Sequence, residues 1–227
     1  MIEAVKNIRE FLKSNNIDYI LVNSTNEFLV EYNTLEENSR YFLTDFTGSA
    51  GDALVSLENI FLFVDGRYHI QADLEVNHDL VTVIKLQTGQ TFLEEISSKI
   101  TPGSTFALVS QKNSQSRIEA FHQRLIDKDI KILLLDVDPL ENKNINPQFE
   151  YLDIDEKYSG MSVDEKIQAI SCDLHDNEAI LLTNLEELSY LFNKRDFTKP
   201  YSSNIKAKAF ITKNNSTIYQ LKTSNSS

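Results

Sequence analysis

From Tyr68 to Asp136 the chain alternates two kinds of segment without a break. Stretches whose apolar residues recur every three or four positions mark helices at Tyr68 to Glu75, Phe92 to Lys99 and Ser116 to Asp127. Between them, short runs rich in Val, Ile and Leu mark strands at Leu80 to Lys85, Thr105 to Ser110 and Lys131 to Asp136. A parallel strand pair needs a crossover of a dozen or more residues, and a helix between strands supplies one, so this alternation builds a sheet with helices packed on its faces. Upstream, Val5, Ile8, Phe11 and Leu12 mark a helix that Asn15-Asn16 stops, followed by a strand over Tyr19 to Val22. A polar segment, Asn23 to Arg40, precedes two further strands, Ala53 to Leu57 and Ile60 to Val64, turned at Glu58-Asn59. The expectation is an α/β fold, a mixed β-sheet flanked by helices, with the hairpin supplying its antiparallel part.

The opening pattern returns later. Asp138-Pro139 through Asn146-Pro147 carries two prolines and little apolar content and reads as a linker. After it come a helix with Val163, Ile167 and Ile170, a strand over Ala179 to Leu182, an aromatic-bearing segment at Tyr190 to Phe192, a basic residue, Arg195, and strands at Ala207 to Thr212 and Thr217 to Leu221. Ile20-Leu21-Val22 lies 160 positions before Ile180-Leu181-Leu182. The expected organisation is therefore a first domain over 1–138, a linker over 139–157 and the start of a second copy of the same unit over 158–227. The second copy stops after its hairpin, so the chain reads as cut, with the polar Lys222 to Ser227 as a tail.

Charge excludes one class of function. The chain holds 22 Lys and Arg against 34 Asp and Glu, a net charge of -12, and its cations form no cluster that would draw affinity for nucleic acid from counterion release. The longest apolar runs, Ile60 to Val64 and Ile132 to Leu135, fall far short of the roughly 20 residues of a membrane span. Met1 to Lys6 lacks the basic and apolar pattern of a secretory signal, and the single cysteine, Cys172, forms no internal disulfide. A cytoplasmic protein is expected. Cys172 sits beside Ile170, Leu174 and acidic neighbours, a setting that does not favour a thiolate, and reads as a helix-end residue.

The constellations that carry chemistry elsewhere are weak here. Gly48-x-x-Gly51 lacks a following Lys-Ser or Lys-Thr and leads into a strand, so it reads as a turn that needs glycine rather than a phosphate cradle. Ser49 has no Gly-x-Ser-x-Gly frame around it. The four histidines, His69, His78, His122 and His175, lack the spacing of a zinc motif. Asp136 and Asp138, like Asp153 and Asp155, alternate by two and share a strand face, where they could hold a divalent cation or read as a solvated edge.

Four segments carry a resemblance. Arg40-Tyr41-Phe42-Leu43-Thr44-Asp45-Phe46-Thr47-Gly48-Ser49-Ala50-Gly51, followed by Phe63-Val64-Asp65-Gly66-Arg67-Tyr68-His69-Ile70-Gln71-Ala72, resembles the N-terminal domain of the aminopeptidase P (Xaa-Pro aminopeptidase) family. Tyr158 to Lys166 and Leu185 to Arg195 resemble the opening of that family's second domain, and the whole points to its three-domain branch. The resemblance implies a creatinase N-terminal, ribonuclease H-like fold. It also implies membership in a family of metallopeptidases that remove an N-terminal residue before proline with two divalent metals, commonly manganese, held in a C-terminal pita-bread domain. Nothing in this chain matches the ligand segments of that domain, so no catalytic or metal residue and no cofactor is expected here. The implied partners are short proline-containing peptides in the complete enzyme and a second copy in a homodimer; nucleic acid and membrane are not. Gly48, Ser49, Gly51, Asp65, Gly66 and Arg67 are expected to form a structural motif, and Arg40, Tyr41 and Arg195 to stand at a substrate entrance. Asn26 and Phe28 depart from the Asp and His common in the family, and Asp196 from the Gly that commonly follows Arg195. A stand-alone peptide- or protein-binding module of the same fold, like a histone chaperone that has lost peptidase activity, is the alternative.

Overall fold

The computed structural model describes residues 1–141, 148–199 and 201–221. It divides into two units, Met1–Lys143 and Asn144–Ser227. In the first, α1 (Ile2–Asn15) leads to β1 (Tyr19–Val22), then α2 (Ser39–Thr44), β2 (Asp52–Val55), β3 (Ile60–Val64), α3 (His69–Glu75) and β4 (Thr82–Lys85). It continues through α4 (Phe92–Lys99), β5 (Thr105–Val109), α5 (Gln115–Leu125) and β6 (Lys131–Leu135). The six strands lie in the order β4-β3-β2-β1-β5-β6. The pairs β1/β2 and β2/β3 are antiparallel and the other three parallel, which is the mixed sheet expected from the hairpin and the crossovers.

Helices cover both faces of this sheet, which is why its central strands are apolar throughout rather than alternating. Successive side chains of a strand point to opposite faces. Ile20 and Val22 accordingly join Val5, Ile8 and Leu12 of α1 in one core, while Leu21 joins Ile96, Ile118 and Phe121 of α4 and α5 in the other. α1 stops where the sequence indicates: Asn16 takes the left-handed conformation at φ 53° and donates its N–H to the carbonyls of Leu12 and Lys13. The short helix α2 was not legible, because six residues carry less than two turns of pattern; Asn38 caps it by accepting from the Tyr41 N–H at 3.2 Å.

The second unit contains β7 (Tyr151–Asp153), α6 (Glu156–Ser159), α7 (Val163–Ser171), β8 (Ala179–Leu182), α8 (Leu185–Leu191), β9 (Lys194–Asp196), β10 (Ala207–Thr212) and β11 (Ser216–Gln220). β11-β10-β8 form an antiparallel sheet and β7 pairs with β9. The repeat is in register. Leu21 faces Leu54 across β1/β2, and Leu181 faces Phe210 across β8/β10; Phe63 of β3, opposite Asp52, and Tyr219 of β11, opposite Lys208, sit two pairs further along. The burial differs. Leu21, Leu54 and Phe63 are fully buried under α4 and α5, whereas Leu181, Phe210 and Tyr219 are 67%, 45% and 65% exposed.

The segment expected as a linker is mostly built into the two units. Leu140 is buried in the first core, and Tyr151–Asp153 is strand β7. Its partner β9 lies some forty residues further on, so a three-residue run gave no local sign of pairing. Residues 142–147 of that linker, with Pro147, and the tail Lys222 to Ser227 lie outside the described residues.

Candidate functional site

The two segments that resemble the family's N-terminal domain meet in space, around the loop from Asp45 to Gly51. Asp45 ends α2 in the left-handed conformation at φ 55°, and the chain then turns around the Arg40 guanidinium. Arg40 is completely buried. Its Nη1 donates to the Gly51 carbonyl at 3.0 Å, its Nη2 to the carbonyls of Phe46, at 3.3 Å, and Gly48, and its head lies 4.7 Å from the Phe46 ring centroid. Three carbonyl dipoles and an aromatic face thus hold the cation where water is excluded. Burial still lowers its pKa to about 10, against the opposing pull of Asp52, and the group stays charged at neutral pH. The placement corrects the expectation of an entrance residue: Arg40 is the internal post of the loop.

Both glycines of the loop are required. A Cβ on Gly48 would lie 2.3 Å from Phe46 Cζ, and Gly51 combines φ +123° with 2.7 Å between such a Cβ and the Phe63 carbonyl. Gly66, by contrast, has open space around it.

The outer side of the loop is bonded to the second segment. The Thr47 N–H and hydroxyl donate to the two oxygens of Glu75 at 2.7 and 2.8 Å, and Gln71 Nε2 reaches Thr47 Oγ1 and Glu75 Oε1. The Ser49 hydroxyl donates to Glu31 Oε1 at 2.7 Å and pairs with the Tyr68 hydroxyl at 2.7 Å. The Tyr68 ring meets Phe46 edge-on, centroids 5.7 Å apart. Arg67 grips Asp65 with Nε and Nη2 at 3.0 and 2.9 Å and reaches Glu31 at 3.6 Å. These bonds from Arg67 hold the Asp65 carboxyl below the usual carboxylate range and raise the pKa of the guanidinium. The result is a polar platform whose side chains are pinned from below and from the side. Sequence reasoning missed Glu31 and Glu75; the only available sign was that Glu75 follows Gln71 by four residues on one helix face.

The other expected residues lie apart from it. Tyr41 is half-buried on α2, with its ring 6.2 Å from that of Phe42. Arg195 belongs to the second unit, on β9, and donates to the Lys194 carbonyl at 2.9 Å. It is therefore not the repeat counterpart of Arg40, which sits on a helix ahead of the hairpin. Asp196, completely buried, organises the turn that follows: Thr198 donates to it through both N–H and hydroxyl, the Glu150 N–H at 3.3 Å, and Lys199 pairs with it at 3.2 Å. Burial pushes its pKa up, but these donors prevail and hold it below the ordinary value. Nearby, Lys166 is buried, donates to the Tyr190 carbonyl at 2.8 Å and to Asn193 Oδ1, and has its pKa lowered by burial and by the charge of Arg195.

Three of the four aspartates considered for a cation are engaged by protein groups, and Asp136 is exposed. Asp138 accepts from Lys112 Nζ and Ser39 Oγ, both at 2.6 Å. Asp153 pairs with Lys194, and Asp155 caps α6. Among the described residues no three His, Cys, Asp or Glu side chains are grouped to hold a metal ion, and no helix is long and apolar enough to cross a membrane. Cys172 is the exposed C-cap of α7.

A mixed six-stranded sheet with an antiparallel hairpin in its middle and helices on both faces, carrying a glycine loop closed on a buried arginine, defines the class: an α/β domain of the creatinase type. The Creatinase/Prolidase N-terminal domain family matches residues 5–142, and the chain belongs to it. Curated relatives extend beyond that domain. A protein named Xaa-Pro aminopeptidase P from Coprinopsis cinerea is 27% identical over 218 residues, covering 90% of this chain and 34% of that protein. The protein of that name from Tuber melanosporum is 28% identical over 222 residues, covering 93% of the chain and 36% of the relative. The chain thus spans about a third of the length of these relatives. The crystal structure of the Caenorhabditis elegans X-prolyl aminopeptidase, described as a cytosolic enzyme with a di-nuclear active site, superposes with a TM-score of 0.87 at 17% identity. That superposition covers 97% of this chain and 38% of that one, and it supports the fold.

Proposed function

We propose that this chain forms the non-catalytic N-terminal portion of a cytoplasmic Xaa-Pro aminopeptidase, which removes the residue preceding proline from short peptides. The observation that carries this reading is that the similarity to proteins of that name runs through both units, over 90% and 93% of the chain, and does not stop at the family domain. In this reading the two manganese ions are held by residues outside the chain, since the described residues bring together no ligand set that fits them. The contribution of this portion is access: it narrows the approach to the metal site so that short peptides enter, and it adds contacts in a homodimer. The platform of Thr47, Ser49, Tyr68 and Arg67 suits such a role, because a surface already ordered by Arg40, Glu31 and Glu75 loses little further freedom when another surface or a peptide meets it.

The assay is direct. The purified chain, supplied with manganese and an Arg-Pro-Pro peptide, is expected to release no arginine. Manganese-dependent release by this chain alone would overturn the reading.

A further inference from the structure

The second unit holds two neighbouring cations that no carboxylate answers. Lys166 on α7 is 3% exposed, and its Nζ finds only neutral partners: the Tyr190 carbonyl at 2.8 Å, Asn193 Oδ1, and the Tyr190 ring, 3.9 Å from its centroid. Burial and then the charge of Arg195 lower its pKa, and no acid raises it. Arg195 lies on β9 opposite Leu152 of β7, so these two side chains share one face of the two-stranded sheet, while Asp153, Lys194 and Asp196 share the other. Its Nη1 is engaged by the Lys194 carbonyl at 2.9 Å. Nε and Nη2 make no hydrogen bond among the described residues and are not buried, which leaves the forked edge of the guanidinium accessible. The acids closest in sequence are turned elsewhere. Glu165 is held by Ser162, Asp196 by Thr198 and Lys199, and Asp164 lies two residues before Lys166, on the far side of α7. Glu186 and Glu187, exposed at the start of α8, form no ion pair with either cation.

We propose that Arg195 binds a carboxylate, presented by the C-terminus of a short peptide whose last residue is apolar, with Lys166 supplying charge behind it. Two parallel N–H donors match the two oxygens of a carboxylate, and a guanidinium already fixed at Nη1 loses little freedom in making that pair. Lys166 does not touch the ligand, because its protons are engaged within the fold; its charge, unanswered by any acid, adds to the local positive potential. Apolar surface flanks the cations: Leu152 is 44% exposed across the strand pair from Arg195, and Tyr190, whose ring covers Lys166, is 57% exposed. A terminal proline ring covers such a surface while its carboxylate meets the fork, whereas an inorganic anion leaves the surface bare. The choice of a proline-containing peptide rests on the proposed function; the open guanidinium edge does not. The net charge of -12 does not forbid the contact, since at physiological ionic strength charges are screened over about 8 Å.

The test is an NMR titration of the intact, isotope-labelled chain with Ala-Pro-Pro as the free acid, with the same peptide as its C-terminal amide, and with inorganic phosphate. The free acid should shift the Arg195 Nε–H signal and the Leu152 and Tyr190 amides saturably, and the amide should bind roughly tenfold more weakly or worse, the loss that follows from removing a charge-assisted pair. Arg195→Lys keeps the charge and loses the fork, and should weaken the free acid by a similar factor, read from the Leu152 and Tyr190 amides, with a melting temperature within about 2 °C of the parent. Equal binding of acid and amide, the absence of a saturable shift, or an Arg195→Lys variant that binds as the parent does would overturn the proposal. Tighter binding of phosphate than of the free acid would overturn it as well, by making the site one for inorganic anions. None of these outcomes bears on manganese-dependent release of arginine, so this site can fail while the proposed function stands.

Discussion

Two arginines in neighbouring motifs have opposite energetic weight, although the sequence presents them alike. Arg40 is buried with three carbonyl acceptors, and removing it takes the donor from those carbonyls in a fully buried site. Arg67 holds Asp65 in a bidentate pair, but its side chain is 60% exposed, where solvent screening leaves such pairs with less than about 1 kcal/mol. Arg40→Leu is expected to cost about 3–5 kcal/mol in urea denaturation, as does breaking a buried charged network, and Arg67→Ala less than about 1 kcal/mol. A reversed order would mean that the loop does not depend on its buried post. Gly51→Ala should cost about 1–3 kcal/mol, because the backbone is in a region that side chains avoid and the new methyl meets the Phe63 carbonyl. A melting temperature unchanged by that substitution would contradict the geometry.

At the scale of elements, the opening of α7 shows how local chemistry sets a boundary. Ser162 accepts from the Glu165 N–H at 3.2 Å, while the Glu165 carboxylate accepts from the Ser162 N–H at 2.9 Å, a reciprocal capping box. Ser162→Ala is expected to destabilise the second unit by about 1 kcal/mol, read from its unfolding midpoint. The same box has a pH signature. The bonds from Ser162, backbone first, lower the Glu165 pKa, so the folded value lies below the unfolded one. The cap therefore contributes fully above the unfolded value of about 4.3 and is lost as pH falls through the folded value. The effect of Glu165→Ala should accordingly be present at pH 7 and shrink in strong acid, where the carboxyl is protonated; an effect of equal size below that range would exclude the carboxylate from the cap. The Ser162-x-x-Glu165 spacing carries this box in the local sequence, whereas strand β7 has no local sign, because three residues carry no period and their partner is remote in sequence.

For the whole molecule, the two units repeat one plan with unequal cover. In the first, α4 and α5 close the sheet face carrying Leu21, Leu54 and Phe63; in the second, the equivalent face exposes Leu181, Phe210 and Tyr219. Amides open by local and subglobal unfolding, which is easiest where little apolar surface is buried. On a dilute, demonstrably monomeric sample, the strands of the first unit should be the slowest to exchange and β8, β10 and β11 distinctly faster. Equal protection in both units would mean that the second is stable without further cover.

The alternation of periods was enough to determine the mixed sheet, the two-sided burial of its strands and the repeat, since all three follow from which side chains must leave water along a chain of fixed geometry. The likeness of Ile20-Leu21-Val22 to Ile180-Leu181-Leu182 could be read 160 residues apart because both are short aliphatic runs, although only the first is fully buried in the structure. The platform was legible only as two motifs. That Arg40 lies beneath it, that Glu31 and Glu75 fix it, and that Arg195 belongs elsewhere were decided by tertiary structure alone. A charged residue reads the same in sequence whether it faces water or three buried carbonyls, and the difference comes from segments distant along the chain that fold over it.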